Sequence, residues 1–401
     1  MTSIGSAEGR QRQPVSSRRT TASEPPTHRS ASGPAAADGP DIDHDALSAE
    51  NRGLDPDGRY ALPFGTRVLQ RARHCIQIGT DPPRTVVVRN APAQAADVLG
   101  GLDGGRTITE LLVEHRQLGD RARWLDLLDQ LLSAGVLLPT NTQERAGSPM
   151  TVGAHLSEER ALLTHRHGHA TAARILQARD DALVVIRGDG DVAFAITAHL
   201  AAAGIGHLHQ DPLSLSVPWL PEDADIEDPG TAESGLPPGR WVELRARFPA
   251  LRLHSPAAHQ HPTGVVLIGG PVPDLALGAA YSRACVPHLS VATGMARVVV
   301  GPFVLPGRST CLSCLHRHRT DADPEWPAVA GQLRAVPRGT PAVLTAAAVC
   351  LAVGEMLEHI DGVQPPRTVD GTLEWRAGAP GPRRRSWRQH PDCGCRGALP
   401  E

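Results

Sequence analysis

The chain contains no lysine. All 40 of its basic residues are arginine, set against 43 acidic ones, so no step of its chemistry can use a side-chain primary amine as nucleophile or phosphate ligand. Aromatics are scarce at 3%. With the richness in Ala, Gly, Pro and Arg, both biases read as drift toward GC-rich codons. The formal net charge is only −3, which counts against a bulk electrostatic partner such as duplex DNA or an anionic membrane. No apolar run reaches the ~18 residues that span a bilayer. The polar, arginine-rich start lacks the apolar stretch of a signal peptide. The expected setting is the cytoplasm. Cysteines number only seven, yet four of them stand in two close pairs, which in such a chain reads as metal rather than disulfide.

The 401 residues leave room for two or three domains. Residues 1–59 are Ser, Pro, Gly, Ala and charge with almost no apolar periodicity, and are expected to be a disordered tail, either dispensable or a tether. A compact unit is expected over 60–140. Its strands are Arg67–Gln70, His74–Ile78 and Thr85–Arg89, and its helices are Ala93–Leu102, Thr107–His115 and Asp120–Ala134. Thr107 and Glu110 make a capping box, and Trp124, Leu127, Leu128, Leu131 and Leu132 share one helical face. Residues 141–156 read as a polar linker.

The remainder, 157–401, alternates strand and helix. One helix, Glu158–Ala178, precedes the apolar strand Ala182–Ile186. The chain then passes through Gly188-Asp189-Gly190-Asp191 into the helix Val192–Ala203 and on to a second strand ending at Asp211. A strand, a glycine-rich turn, a helix and a strand open a doubly wound parallel sheet. An acidic, proline-rich loop is expected over 218–240. The buried strand Gly264–Ile268, the helix Ala276–Ala284, strands at His288–Ala292 and Ala296–Val300, and a long apolar helix over Pro341–Ile360 continue the pattern.

Zinc favours four soft donors in a tetrahedron. Cys311-x-x-Cys314 aims two sulfurs at one point, and in Cys393-Gly394-Cys395 the glycine is expected to let the backbone wrap the ion. Because the pairs are far apart in sequence, one structural zinc would staple the C-terminal tail to the domain. The alternative is two free or redox-active dithiols. His316, His318 and His390 lie close enough in sequence to compete as ligands, but with four thiolates available they read as neighbours of the site or as surface. Cys75, Cys285 and Cys350 stand alone in apolar stretches and read as core residues.

These residues carry a resemblance. The Gly188/Gly190 turn, Cys-x-x-Cys after the sheet and Cys-x-Cys near the C-terminus look like the ThiF/MoeB/E1 adenylyltransferase superfamily. Gly301-Pro302-Phe303-Val304-Leu305-Pro306-Gly307 running into Cys311, and His390-Pro391-x-Cys393, look like the ThiF-like partners of YcaO cyclodehydratases in azoline-forming (TOMM) peptide pathways. The 60–140 unit resembles the PqqD-like winged helix, the recognition element for precursor peptides. The fold class implied is therefore α/β: a PqqD-like winged helix followed by a ThiF/E1-like Rossmann-like domain with a structural zinc site.

For an active member the resemblance implies ATP and magnesium, with Gly188, Gly190, Asp211, Asp274 and Arg283 at the nucleotide. Here the loop departs from the pattern. Ala193 replaces a glycine, Asp189 and Asp191 stand beside the would-be phosphates, the arginine-bearing stretch after Asp211 is replaced by Ser214-Leu215-Ser216-Val217, and the phosphate lysine cannot exist. These departures count against ATP and magnesium as cofactors, and no catalytic residue is assigned. Recognition elements take a leader peptide as an added strand. By carry-over, Thr85, Val87 and Arg89 would offer the edge, Trp124 and Leu128 the apolar wall, and Arg84, Arg89 and Arg121 would meet acidic residues. The alternative is that Trp124 is core and the arginines are solvated surface. Asp120, Asp126 and Asp129 on the last helix weigh against DNA.

The expected partners are a precursor leader peptide and a YcaO-type enzyme, with a homodimer expected only from the resemblance. The leading hypothesis is a scaffold that presents the peptide. The alternatives are an adenylyltransferase using arginine in place of lysine, and a DNA- or protein-binding regulator.

Overall fold

The computed structural model of the chain describes residues 41–43, 53–63, 65–80, 85–114, 121–140, 156–211, 238–254, 256, 260–333 and 339–397. The expected linker 141–156 lies outside them except for Leu156, as does all of the expected acidic loop before residue 238.

The N-terminal unit is built on an antiparallel meander of β3 (Val68–Ala72), β4 (Cys75–Ile78) and β5 (Val86–Arg89). A further strand, β1 (Asp41–Asp43), pairs in parallel with β5, giving the order β1-β5-β4-β3. Helices α1 (Ala95–Gly100), α2 (Ile108–Glu114) and α3 (Arg121–Ser133) follow. A small second sheet, β6-β2-β7, joins Asp103–Thr107, Arg59–Ala61 and Leu138–Pro139. The Asp-Gly-Gly stretch at 103–105 therefore opens a strand as well as ending a helix. The capping box forms as expected: Glu110 N donates to Thr107 Oγ1 at 3.1 Å, and Thr107 N donates to Glu110 Oε2 at 2.8 Å.

The expectation of a featureless 1–59 needs correction in two places. Asp41–Asp43 is strand, because sheet pairing supplies backbone partners that composition does not reveal. Leu54 is buried in the unit's core, with its N–H donating to Asp129 Oδ1 at 3.1 Å.

The second domain holds a seven-stranded sheet in the order β14-β13-β12-β11-β10-β8-β9. β8 (Leu183–Arg187), β9 (His207–Asp211), β10 (Gly264–Gly269) and β11 (His288–Ala292) run parallel. β12 (Arg297–Val304), β13 (Gly371–Arg376) and β14 (Arg383–Ser386) continue antiparallel. Residues alternate between two helical layers. Val184, Ile186, Val266 and Ile268 face a layer that includes α6 (Gly190–Ala202) and α11 (Ala342–Asp361). Val185, Val265 and Leu267 face α8 (Leu275–Arg283) on the other side. Both faces are covered, so β8 and β11 are buried at every residue.

Gly168 splits the helix expected over Glu158–Ala178 into α4 (Ser157–His167) and α5 (His169–Asp181). Its φ of +84° cannot continue a helix. α7 (Pro238–Arg247), α9 (Leu312–Ala322) and α10 (Trp326–Leu333) complete the layers. Helix α11 is long and apolar enough to cross a bilayer by composition, with a mean hydropathy of 1.6. Leu344, Ala348, Ala352 and Met356 bury its inner face on the sheet, which makes it a core helix.

Candidate functional site

The four paired cysteines converge. Cys311 caps α9 and Cys314 lies in its first turn, which fixes the first two sulfurs. The chain returns through β13 and β14 and brings Cys393 and Cys395 onto them. Sγ–Sγ separations are 3.7 Å for Cys311–Cys314, 3.6 Å for Cys311–Cys393 and 3.4 Å for Cys314–Cys395. All four sulfurs lie within 4.8 Å of one another. Four sulfurs about 2.3 Å from one ion would sit about 3.8 Å apart, so the donor set fits a tetrahedral zinc.

Crowding perturbs the thiols strongly. Cys314 is lowered to about 4, chiefly because the Cys311 thiol donates to it. Cys311 is pushed up by that same bond and by burial, and Cys395 is pushed up to about 12 by burial first. Thiols this crowded cannot all ionise unless a cation joins them. A Cβ at Gly394 would meet no heavy atom within 4 Å. The turn itself, a short 3-10 segment over Gly394–Gly397, sets the Cys-x-Cys geometry, and the missing side chain does not.

A polar shell surrounds the cluster. His390 N donates to Cys314 Sγ at 3.3 Å, its Nε2 donates to Asp321 Oδ2 at 2.8 Å, and its Nδ1 accepts from Asp392 N at 3.1 Å. His318 Nε2 donates to Arg388 O at 2.8 Å. His316 Nδ1 accepts from Trp326 Nε1 at 3.1 Å. Thr310 donates to Asp370 Oδ1 through both its N–H and its hydroxyl, each at 2.8 Å, tying the base of α9 to the start of β13. The lone cysteines depart from expectation. Cys285 and Cys350 are exposed and Cys75 is half-buried, because each falls at a turn, an outer helix face or a strand end within its apolar stretch.

The glycine turn sits at the end of β8, beside β10, where the connections leave to opposite sides: from β8 toward β9 and from β10 toward β11. Open α/β sheets place ligands at such a switch point. Gly188 has φ +140°, and a Cβ there would come within 2.8 Å of Ile268 Cβ, so packing against β10 already demands this glycine. Gly190 has φ +75°, and neither it, Gly269 nor Gly270 has any heavy atom within 4 Å of an added Cβ. Among the described residues, nothing fills the space beside these three glycines.

Its expected ligands are otherwise engaged. Asp211, only 4% exposed, accepts from Arg187 Nη1 at 2.5 Å in a buried ion pair. Tyr281 of α8 is buried beside that pair, and burial pushes its phenol up to about 12. Asp274 caps α8 by accepting from Leu277 N at 3.0 Å. Arg283 is exposed in the last turn of the same helix, about 13.5 Å further along the axis at about 1.5 Å per residue. The structure therefore sets Arg283 and Asp274 at opposite ends of one helix. Asp191 is met by Arg240 at 2.8 Å, and the Arg240 guanidinium also stacks on Phe194. Neither Arg187 nor Arg240 was singled out by sequence reasoning. Arg187 was hidden as the polar end of an apolar strand, and Arg240 by its distance along the chain.

In the N-terminal unit, Trp124 is 1% exposed and Leu128 is fully buried, both in one cluster with Ile76, Val86 and Val88. Strand alternation puts Thr85, Val87 and Arg89 on the opposite face. The expected wall and the expected edge residues thus do not meet: Trp124 and Leu128 are core. Arg84 lies outside the described residues, and Arg121 is exposed at the start of α3. A cavity of about 300 Å³ lies between this unit and α4, lined by residues including Arg67, Thr80, Val136, Leu162 and His165.

No protein-family model matches the chain, and no curated protein sequence matches it. Solved structures do. The fold is similar to that of MccB. The crystal structure of the microcin C7 biosynthetic enzyme MccB in complex with N-formylated MccA matches with a TM-score of 0.54 at 14% identity, over 84% of this chain and 99% of that one. E. coli MccB with ATP matches with a TM-score of 0.53 over the same shares, also at 14% identity. PaaA matches with a TM-score of 0.51 at 16% identity, over 81% of this chain and 99% of that one. At these identities the likeness is one of fold.

Proposed function

We propose that the chain is an E1-like scaffold of ribosomal peptide maturation. In this reading its N-terminal unit, 60–140, acts as a PqqD-like recognition element that holds the leader of a precursor peptide. The E1-like domain, with one zinc on Cys311, Cys314, Cys393 and Cys395, presents that peptide to a separate YcaO-type cyclodehydratase, which performs the ATP chemistry. Structures of MccB have been solved with MccA and with ATP, and the reading that this chain binds a peptide rests on that likeness together with the resemblance of residues 60–140 to a recognition element.

One observation does most to favour a scaffold over an adenylyltransferase. The Asp211 carboxylate, which would have to hold a ribose, is closed off by Arg187. The absence of lysine and the carboxylates of Asp189 and Asp191 at the turn point the same way.

A second reading has its own support. Among the described residues nothing fills the space beside Gly190, Gly269 and Gly270, and Arg240 supplies a cation at Asp191 in the same turn. An adenylyltransferase would use that space for ATP and form an acyl-adenylate with release of pyrophosphate. Exchange of labelled pyrophosphate into ATP, with and without precursor peptide, separates the two readings. The scaffold gives none above background in either case.

A further inference from the structure

The outer edge of β5 is already occupied. Asp41–Asp43 lies along it in parallel register, with Asp41 opposite Val87, Ile42 opposite Val88 and Asp43 opposite Arg89. The three strands β3 to β5 follow one another along the chain, whereas β1 reaches β5 from a segment well upstream. Without β1, the outer edge of β5 would present a row of backbone donors and acceptors, and such an edge accepts almost any extended segment.

We propose that Asp41–Asp43 is a built-in occupant of the peptide-binding edge, which an incoming extended peptide must displace. This rests on the reading of that edge as the leader site. Three features favour a displaceable occupant. The strand has only three residues. Its pairing is parallel, the less stable kind per residue. Its tether to the unit keeps the local concentration high, so it can hold the edge without high intrinsic affinity.

Its sequence also describes the partner. An apolar residue stands between two carboxylates, and the register sets one of those acidic residues opposite Arg89. A peptide that replaces it should carry the same chemistry: an extended stretch with an apolar residue flanked by acidic ones. Self-occupancy then acts as a threshold. If the edge is covered nine-tenths of the time, the apparent affinity for an external peptide falls about tenfold.

The test uses the full-length chain and a labelled synthetic peptide with the sequence of its own residues 36–48. Binding is followed by fluorescence anisotropy to the native chain and to an Asp41→Pro/Ile42→Pro variant. The two prolines remove the amides of both positions, including whichever one faces β5. The variant should bind the peptide about tenfold more tightly than the native chain. Hydrogen exchange at the β5 amides should be slow in the native chain, fast in the variant, and slow again once peptide is added. Equal binding by the two chains, no binding by the variant, or β5 amides equally protected in both would overturn the proposal. A precursor peptide that binds both chains equally well would overturn it while leaving the scaffold reading intact.

Discussion

Arg187 and Asp211 meet at 2.5 Å across the C-terminal ends of β8 and β9, both almost fully buried. The pair engages the carboxylate that an adenylyltransferase reading would set against a ribose. Breaking a buried pair by removing one partner leaves an uncompensated charge, which costs about 3–5 kcal/mol. Asp211→Ala should therefore lower unfolding stability by that amount in urea titrations. On the scaffold reading it should leave nucleotide affinity unchanged, because the carboxylate is engaged by Arg187.

The two glycines of the turn should behave differently. Gly188→Ala forces a Cβ to within 2.8 Å of Ile268 Cβ at a φ of +140°, combining a clash with strained backbone. It should cost more than Gly190→Ala, which meets only the strain of φ +75° in open space, on the order of 1 kcal/mol. Thermal unfolding of the two variants checks the ranking. A Gly190 variant that is the less stable of the two would mean that something fills that space.

Purified chain should hold one zinc per molecule by elemental analysis, and Cys393→Ser or Cys395→Ser should lose most of it. Structural zinc contributes on the order of 10 kcal/mol to folding in small zinc domains. The cost here should be smaller, because β14 pairing and the Trp387 N–H bond to Asp370 O at 2.9 Å also hold the tail. Chelation should free the segment after Trp387 to limited proteolysis before it unfolds the sheet.

His288 predicts a pH dependence. Its ring is fully buried at the start of β11, with Nδ1 donating to Val286 O at 2.9 Å, and burial lowers it to about 4. Between about pH 6.5 and pH 4 the unfolded chain binds a proton that the folded chain refuses. Stability therefore rises with pH through that window and is lost on acidification. The loss for a shift from 6.5 to about 4 is on the order of 3 kcal/mol. His207, His209 and His359 are lowered in the same direction, again by burial first. Denaturant unfolding between pH 7 and pH 4 should show this slope, and His288→Leu should flatten it.

The parts of the fold that local rules dictate were legible in the sequence. Apolar β8 running into Gly188, the capping box at Thr107 and the two cysteine pairs each carry their own short-range signal. What pairing across the chain decides was not legible. Asp41–Asp43 has no apolar alternation, and the arginine-rich β14 resembles a loop until β13 is placed beside it. The loss of Asp211 to Arg187, and the separation of Asp274 from Arg283 at opposite ends of α8, are likewise tertiary facts. Trp124 shows the same limit: its helical face was identified correctly, but only the packing decides that this face is core.

The most direct test of the scaffold account is calorimetric titration of the zinc-loaded full-length chain with a precursor peptide, with and without magnesium ATP. The account predicts saturable one-to-one binding with the same affinity in both conditions and no nucleotide turnover. A folded, zinc-loaded chain that binds no precursor peptide, or that releases pyrophosphate when peptide and ATP are both present, would contradict it.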